Sequence, residues 1–147
     1  MVKEVFLEKY VSISWIFVFA IAMFIFYISS LTFKGVVGVP SILTYVYHFF
    51  VFFWLSFFLA IAMSRAKNIS LAIPALFISL FYALSDEIHQ LFVPGRYCSL
   101  GDFFIDSSGI LLACFLYLIT VKIRSKSNNL SRVNVNPEFN LLKISSA

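Results

Sequence analysis

The sequence predicts an all-α integral membrane protein with four transmembrane helices and both termini in the cytoplasm. Three observations carry this. Of 147 residues, 61% are hydrophobic and only 12% charged, with a mean hydropathy of +0.96; a soluble domain carries about 25% charged residues. The apolar residues gather in four runs, each close to the roughly 20 residues a helix needs to cross hydrocarbon. The Lys and Arg residues sit mostly at the edges of those runs and fall mainly on one side of them.

The first span runs from Val11 to about Leu31 and the second from about Ile42 to Met63, both without charge. The third runs from about Ile69 to Leu84 and continues into Asp86–Gln90, and Pro74 lies near its start, where a proline does least harm. The fourth runs from about Phe103 to Val121 with Asp106 in its first turn. Lipid offers the backbone no hydrogen-bond partner, so these stretches must be helical. Residues 10–121 form the membrane domain, and residues 122–147, polar and rich in Asn and Ser, are expected to be a loose, disordered cytoplasmic tail. The first apolar run exceeds the core of a cleavable signal, so it is expected to be a retained first span.

Orientation follows from counting cations. Lys3, Lys9, Arg65, Lys67, Lys122, Arg124, Lys126, Arg132 and Lys143 lie on one side, Lys34 and Arg96 on the other. The positive-inside rule puts the side with more cations in the cytoplasm. The segment from Asp86 to Asp106 then faces outside, together with Ser29, Ser30 and His48. Cys98 falls in the outer loop and Cys114 within the fourth span, with no metal-site spacing. Nineteen phenylalanines are spread over the apolar runs without basic residues between them, which excludes a nucleic-acid platform.

Four of the seven acidic residues, Asp86, Glu87, Asp102 and Asp106, lie in that segment with His89, one of only two histidines. Ionisable groups at a membrane edge are costly and mark function. On a helix, Asp86, His89 and Gln90 share a face by their three- and four-residue spacing, with Glu87 about 100° round the axis. A carboxylate beside a histidine suits acid–base work, so Asp86, Glu87 and His89 are the catalytic candidates. Asp, Glu and His also suit a divalent cation, although no recognised ligand spacing is present. Val93-Pro94-Gly95-Arg96 reads as a type II turn that aims Arg96 back at the rim. Arg96 suits an anionic head group or a bridge to a nearby acid. Asp102 is placed to cap the fourth span and Asp106 to meet the positive end of its dipole. With His48 and Gln90, these form the binding candidates. His48, Asp86, Glu87, His89, Arg96 and Asp106 are expected to line one outward-facing cavity. Gly109 permits close helix approach.

Ser-Asp-Glu-Ile-His-Gln-Leu-Phe-Val-Pro-Gly-Arg (85–96), followed by Asp102-x-x-x-Asp106-x-x-Gly109, resembles the signature of VanZ-like membrane proteins. Ser29-Ser30 and His48 sit where that family has similar residues, and the resemblance, specific in the central motif and weak elsewhere, covers about residues 10 to 121. The chain departs from it at Thr44 and Tyr45, where the family often has Asp-Lys, and at Asp106, where it often has Asn. The resemblance implies a multi-pass protein of the bacterial cytoplasmic membrane and a link to glycopeptide resistance of the teicoplanin type.

Two functional classes stay open. One is an enzyme acting on a lipid or lipid-linked envelope substrate, with Glu87 or Asp86 and His89 moving protons and Arg96 holding an anionic head group. The other is a non-catalytic binder of an envelope lipid or glycopeptide, or a scaffold. Membrane lipids are the expected partners in both. A transporter is disfavoured, because no paired repeat or broken helix is visible.

Overall fold

A computed structural model describes the backbone of residues 2–31, 42–64 and 69–135, and side chains within 10–31, 42–64 and 70–127. Among these residues every regular element is helical. α1 spans Val2–Ser29, α2 Ile42–Ser64, α3 Ala72–Gln90 and α4 Leu100–Val135, with a short 3-10 turn at Ile69–Leu71 leading into α3. Lys34, Arg65, Lys67 and Lys143, which enter the expected orientation, lie outside the described residues.

The packing is that of a membrane bundle. Small side chains fill the interhelical space: Ala60 and Ala62 on α2, Ala72, Ala75 and Ala83 on α3 and Ala113 on α4 are all buried. Large apolar side chains point outward instead, Phe19, Phe81 and Phe104 among them. Water would penalise such a surface, whereas lipid does not, and small residues let backbones approach where dispersion must hold helices together. Gly109 is the clearest case. A Cβ there would run into the Phe49 carbonyl oxygen and come within 3.3 Å of the Phe53 amide, so α4 crosses α2 at a distance only glycine allows. Phe52, Ile25 and Ile110 are the largest apolar side chains at the centre.

Among the described residues, three helices are long and apolar enough to cross a membrane: α1 over Tyr10–Ser29, α2 over Ile42–Ser64 and α4 over Leu100–Ser127. The expected count was four. α3 is not among them, because its last turn is Asp86-Glu87-Ile88-His89-Gln90 rather than apolar sequence. α3 nevertheless packs against both α2 and α4, with Pro74 in the first turn, where no intrahelical partner is lost. The other difference lies at the end of α4. Helix continues past Val121 to Val135, so the segment expected to be loose from residue 122 is helical over that length. Residues 122–135 are polar but contain neither Gly nor Pro, so composition removes the lipid-crossing character without breaking the helix. Residues 136–147 lie outside the described residues.

Candidate functional site

The end of α1, the start of α2, the end of α3 and the start of α4 meet at one end of the bundle. Direct contacts establish this. Ser30, just past α1, places its Oγ 3.0 Å from His89 Nε2 on α3. His48 Nδ1 on α2 lies 3.1 Å from Asp106 Oδ1 on α4. Glu87 Oε2 on α3 accepts the Ser99 backbone N–H at 2.8 Å, immediately before α4. Arg96 donates from Nη2 to the Ile28 carbonyl at 3.0 Å and from Nε to the Leu31 carbonyl at 3.4 Å.

The connection between α3 and α4 explains most of this. α3 ends in tightening turns, with Leu91 N–H to Ile88 O at 3.2 Å, Phe92 N–H to His89 O at 3.0 Å and Val93 N–H to Gln90 O at 3.2 Å. Val93–Arg96 then closes through the Arg96 N–H to Val93 O at 3.1 Å, with Gly95 at φ 84°. That positive φ at the third position is what a type II turn requires and glycine supplies. The turn does return Arg96 to the rim. Its guanidinium adds a second hydrogen bond to the Ile28 carbonyl in the last turn of α1 and reaches the Leu31 carbonyl just past it, where a cation is also favoured by the helix dipole.

Asp102 does not cap α4. Ser99 holds that place: its Oγ accepts the Asp102 N–H at 3.3 Å, and its carbonyl accepts the first helical bond, from Phe103 N–H at 3.1 Å. In a capping box the acid three residues on would take the N–H of the capping serine. Here Glu87 of α3 takes it instead, which ties α3 to α4 and leaves Asp102 Oδ1 buried with no hydrogen-bond partner. Ser99-Leu100-Gly101-Asp102 carries the S-x-x-D pattern, so the sequence did contain the signal.

The hydrogen bonds pair the candidates differently from helical spacing. Asp86 is held by Gln90 Nε2 at 2.9 Å, one turn along the same helix. The His89 ring stacks on Phe26 at 4.7 Å and faces α1. The carboxylate–histidine pair is instead His48 with Asp106, 4% and 0% exposed. Asp86, Asp102 and Asp106 all lie within electrostatic range of Glu87, and the first two act on His48 as well. So His48, Asp86, Glu87, Asp102 and Asp106 form one charged neighbourhood.

Tyr47 belongs to it and was not singled out from the sequence. Its ring stands edge-on to His48 at 5.4 Å, and Asp86, Arg96 and Asp106 are within electrostatic range of its hydroxyl. Five buried side-chain oxygens lack a hydrogen-bond partner among the described residues: Tyr47 Oη, Glu87 Oε1, Asp102 Oδ1, Asp106 Oδ2 and Ser107 Oγ. All belong to this end of the bundle.

No group of three His, Cys, Asp or Glu side chains among the described residues is placed to hold a metal ion. Cys98 is exposed and Cys114 buried, and both are free thiols. A cavity of about 450 Å³ lies between α1, α2 and α3, but it is apolar and none of the six residues expected to share a cavity lines it.

The helices and this rim define a helical protein of membrane type with a buried polar cluster at one end of its bundle. Residues 10–121 match the VanZ/LLP1 family, and the chain belongs to it. No curated protein and no solved structure matches the chain.

Proposed function

We propose that the rim cluster is the head-group site for a lipid or lipid-linked substrate of the bacterial cell envelope. In this reading the turn from Ser30 past α1, the α3–α4 connection and the cluster face outward, α3 completes a fourth crossing, and both termini are cytoplasmic, as the cation bias of the sequence favours. The observation that carries the proposal is the set of five unpartnered buried oxygens. Each such group costs about 1–3 kcal/mol when nothing completes it. Three of the five are carboxylate oxygens, which only accept hydrogen bonds. The site is therefore matched to a head group rich in O–H or N–H donors. Arg96, which donates to two carbonyls at and just past the end of α1, brings a positive charge to the rim for an anionic portion of the same lipid.

His48 and Asp106 supply the proton chemistry. A proton on Nδ1 shared with the carboxylate leaves Nε2 as the basic nitrogen and fixes the ring. Glu87, with one oxygen held by Ser99 and the other unpartnered, is the second acid–base group. Asp86 and His89 position the end of α3 through Gln90 and Ser30. Glycopeptide resistance, which the family name suggests, would follow from a change in an envelope lipid or precursor.

A second reading, a non-catalytic binder or scaffold, is favoured by one observation: Glu87, His89 and Arg96 each spend an atom on joining two elements. Lipid and cell-wall-precursor profiles of cells with and without the protein decide between them. Turnover predicts at least one species consumed and one formed; the binder reading predicts unchanged chemical species.

A further inference from the structure

The cavity between α1, α2 and α3 starts directly beneath the rim. Tyr82 lines its upper end, one helical turn before Asp86, and lies within electrostatic range of that carboxylate and of Tyr47. Leu59, further down, is eleven residues past His48 on α2, about 16 Å along the axis at ~1.5 Å per residue. Ala62 extends the lining deeper still. Among the described residues no charged side chain lines the space, and its 450 Å³ falls among ligand pockets, which run from about 300 to 1,000 Å³.

The cavity also has a side door. α1 and α3 touch each other little, whereas each packs well on α2. Two lining residues at that seam, Trp15 and Ile78, are 37% and 48% exposed. Both belong to faces that meet lipid in a membrane bundle. The few polar atoms nearby are already satisfied: the Tyr82 hydroxyl donates to the Ala22 carbonyl at 2.7 Å. An apolar space with satisfied walls, at hydrocarbon depth and open sideways, suits an alkyl chain and nothing polar.

We propose that this cavity holds one hydrocarbon chain of the membrane lipid whose head group occupies the rim cluster. The proposal rests on the head-group reading above and adds where the chain lies. Lipid enters through the α1–α3 seam, and its chain follows α2 from Tyr82 towards Ala62. Chain occupancy also fixes how far the head group reaches towards His48 and Glu87, so chain length becomes a determinant of which lipids fit.

The test is photolabelling of the full-length protein in phosphatidylethanolamine–phosphatidylglycerol vesicles doped with a phospholipid carrying a diazirine in one acyl chain. Leu59 is only 5% exposed, whereas Phe81 is 72% exposed and faces outward. The proposal predicts that Leu59 is labelled at least as strongly as Phe81. Labelling confined to outward residues such as Phe81, as ordinary surrounding lipid gives, overturns it. Ala22→Phe narrows the cavity and is expected to cut Leu59 labelling several-fold while Phe81 labelling holds; unchanged Leu59 labelling contradicts the proposal. If Ala22→Phe does not fold, the wild-type pattern alone decides. Asp106→Asn should leave Leu59 labelled, so loss of the head-group activity and loss of the chain site are read separately.

Discussion

His48 and Asp106 sit on different helices, 58 positions apart in sequence, yet their side chains meet at 3.1 Å with almost no exposure. α2 and α4 can bring them together because Gly109, three residues past Asp106, lets α4 press against the backbone at Phe49. The pair and the glycine are parts of one device: close backbone approach sets the distance at which imidazole and carboxylate touch.

The first prediction concerns that pair. Removing one member of a buried hydrogen-bonded pair strands the other and costs about 1–3 kcal/mol, more where the stranded group is a carboxylate. His48→Ala and Asp106→Ala should each destabilise the detergent-solubilised protein by that order. The double variant should lose clearly less than their sum, since neither partner is then stranded. Additive losses in equilibrium unfolding would mean the two side chains are not coupled.

Arg96 provides the second. Its Nη2 and Nε serve two carbonyls at the end of α1, a geometry Lys cannot copy with a single ammonium. Arg96→Lys should cost roughly 1–3 kcal/mol. Amide hydrogen exchange should rise at residues 29–31 before it rises in α2. Unaltered protection there would assign Arg96 to another task.

Cys98 reports on both orientation and Glu87. A membrane-impermeant thiol reagent should label it in intact cells, since the proposed topology puts the α3–α4 connection outside; labelling only after lysis contradicts that topology. Partial desolvation pushes the Cys98 thiol up, and the charge and hydrogen bond of Glu87 push it further. The thiolate is the reactive form. Glu87→Gln removes the charge and lowers the thiol's pKa, so at a fixed pH below that pKa the thiolate fraction and labelling rate rise, by up to roughly tenfold per unit. Above the thiol's pKa the two proteins should converge. Equal rates at neutral pH would place Glu87 out of range of the thiol.

Much of the rim was legible in the sequence. The Asp86–Arg96 stretch, Asp102, Asp106 and His48 could be brought to one end from the order of apolar runs alone, and Pro94-Gly95 specified its turn. Partner choice was not legible. Helical spacing joins Asp86 to His89, but which residues meet across helices depends on each helix's rotation about its axis. With phenylalanines on every face of α2, apolar periodicity does not report that rotation. Hence His48 rather than His89 meets a carboxylate, and Tyr47 enters the cluster as the neighbour of His48. Ser99 was overlooked in favour of Asp102, although the S-x-x-D order carried the cap. The extent of α4 was underread for a different reason: hydropathy locates the crossing and is silent on a polar helix that continues beyond it.

The central claim is that the His48–Asp106 end of the bundle acts on an envelope lipid. The most direct measurement compares envelope lipid and precursor profiles in cells expressing, at matched membrane levels, either the wild-type chain or Asp106→Asn, which keeps the shape and removes the charge. The account predicts that the wild-type protein shifts at least one lipid or lipid-linked species and that Asp106→Asn returns the profile to that of cells lacking the protein. A variant whose profile is indistinguishable from the wild type would contradict it.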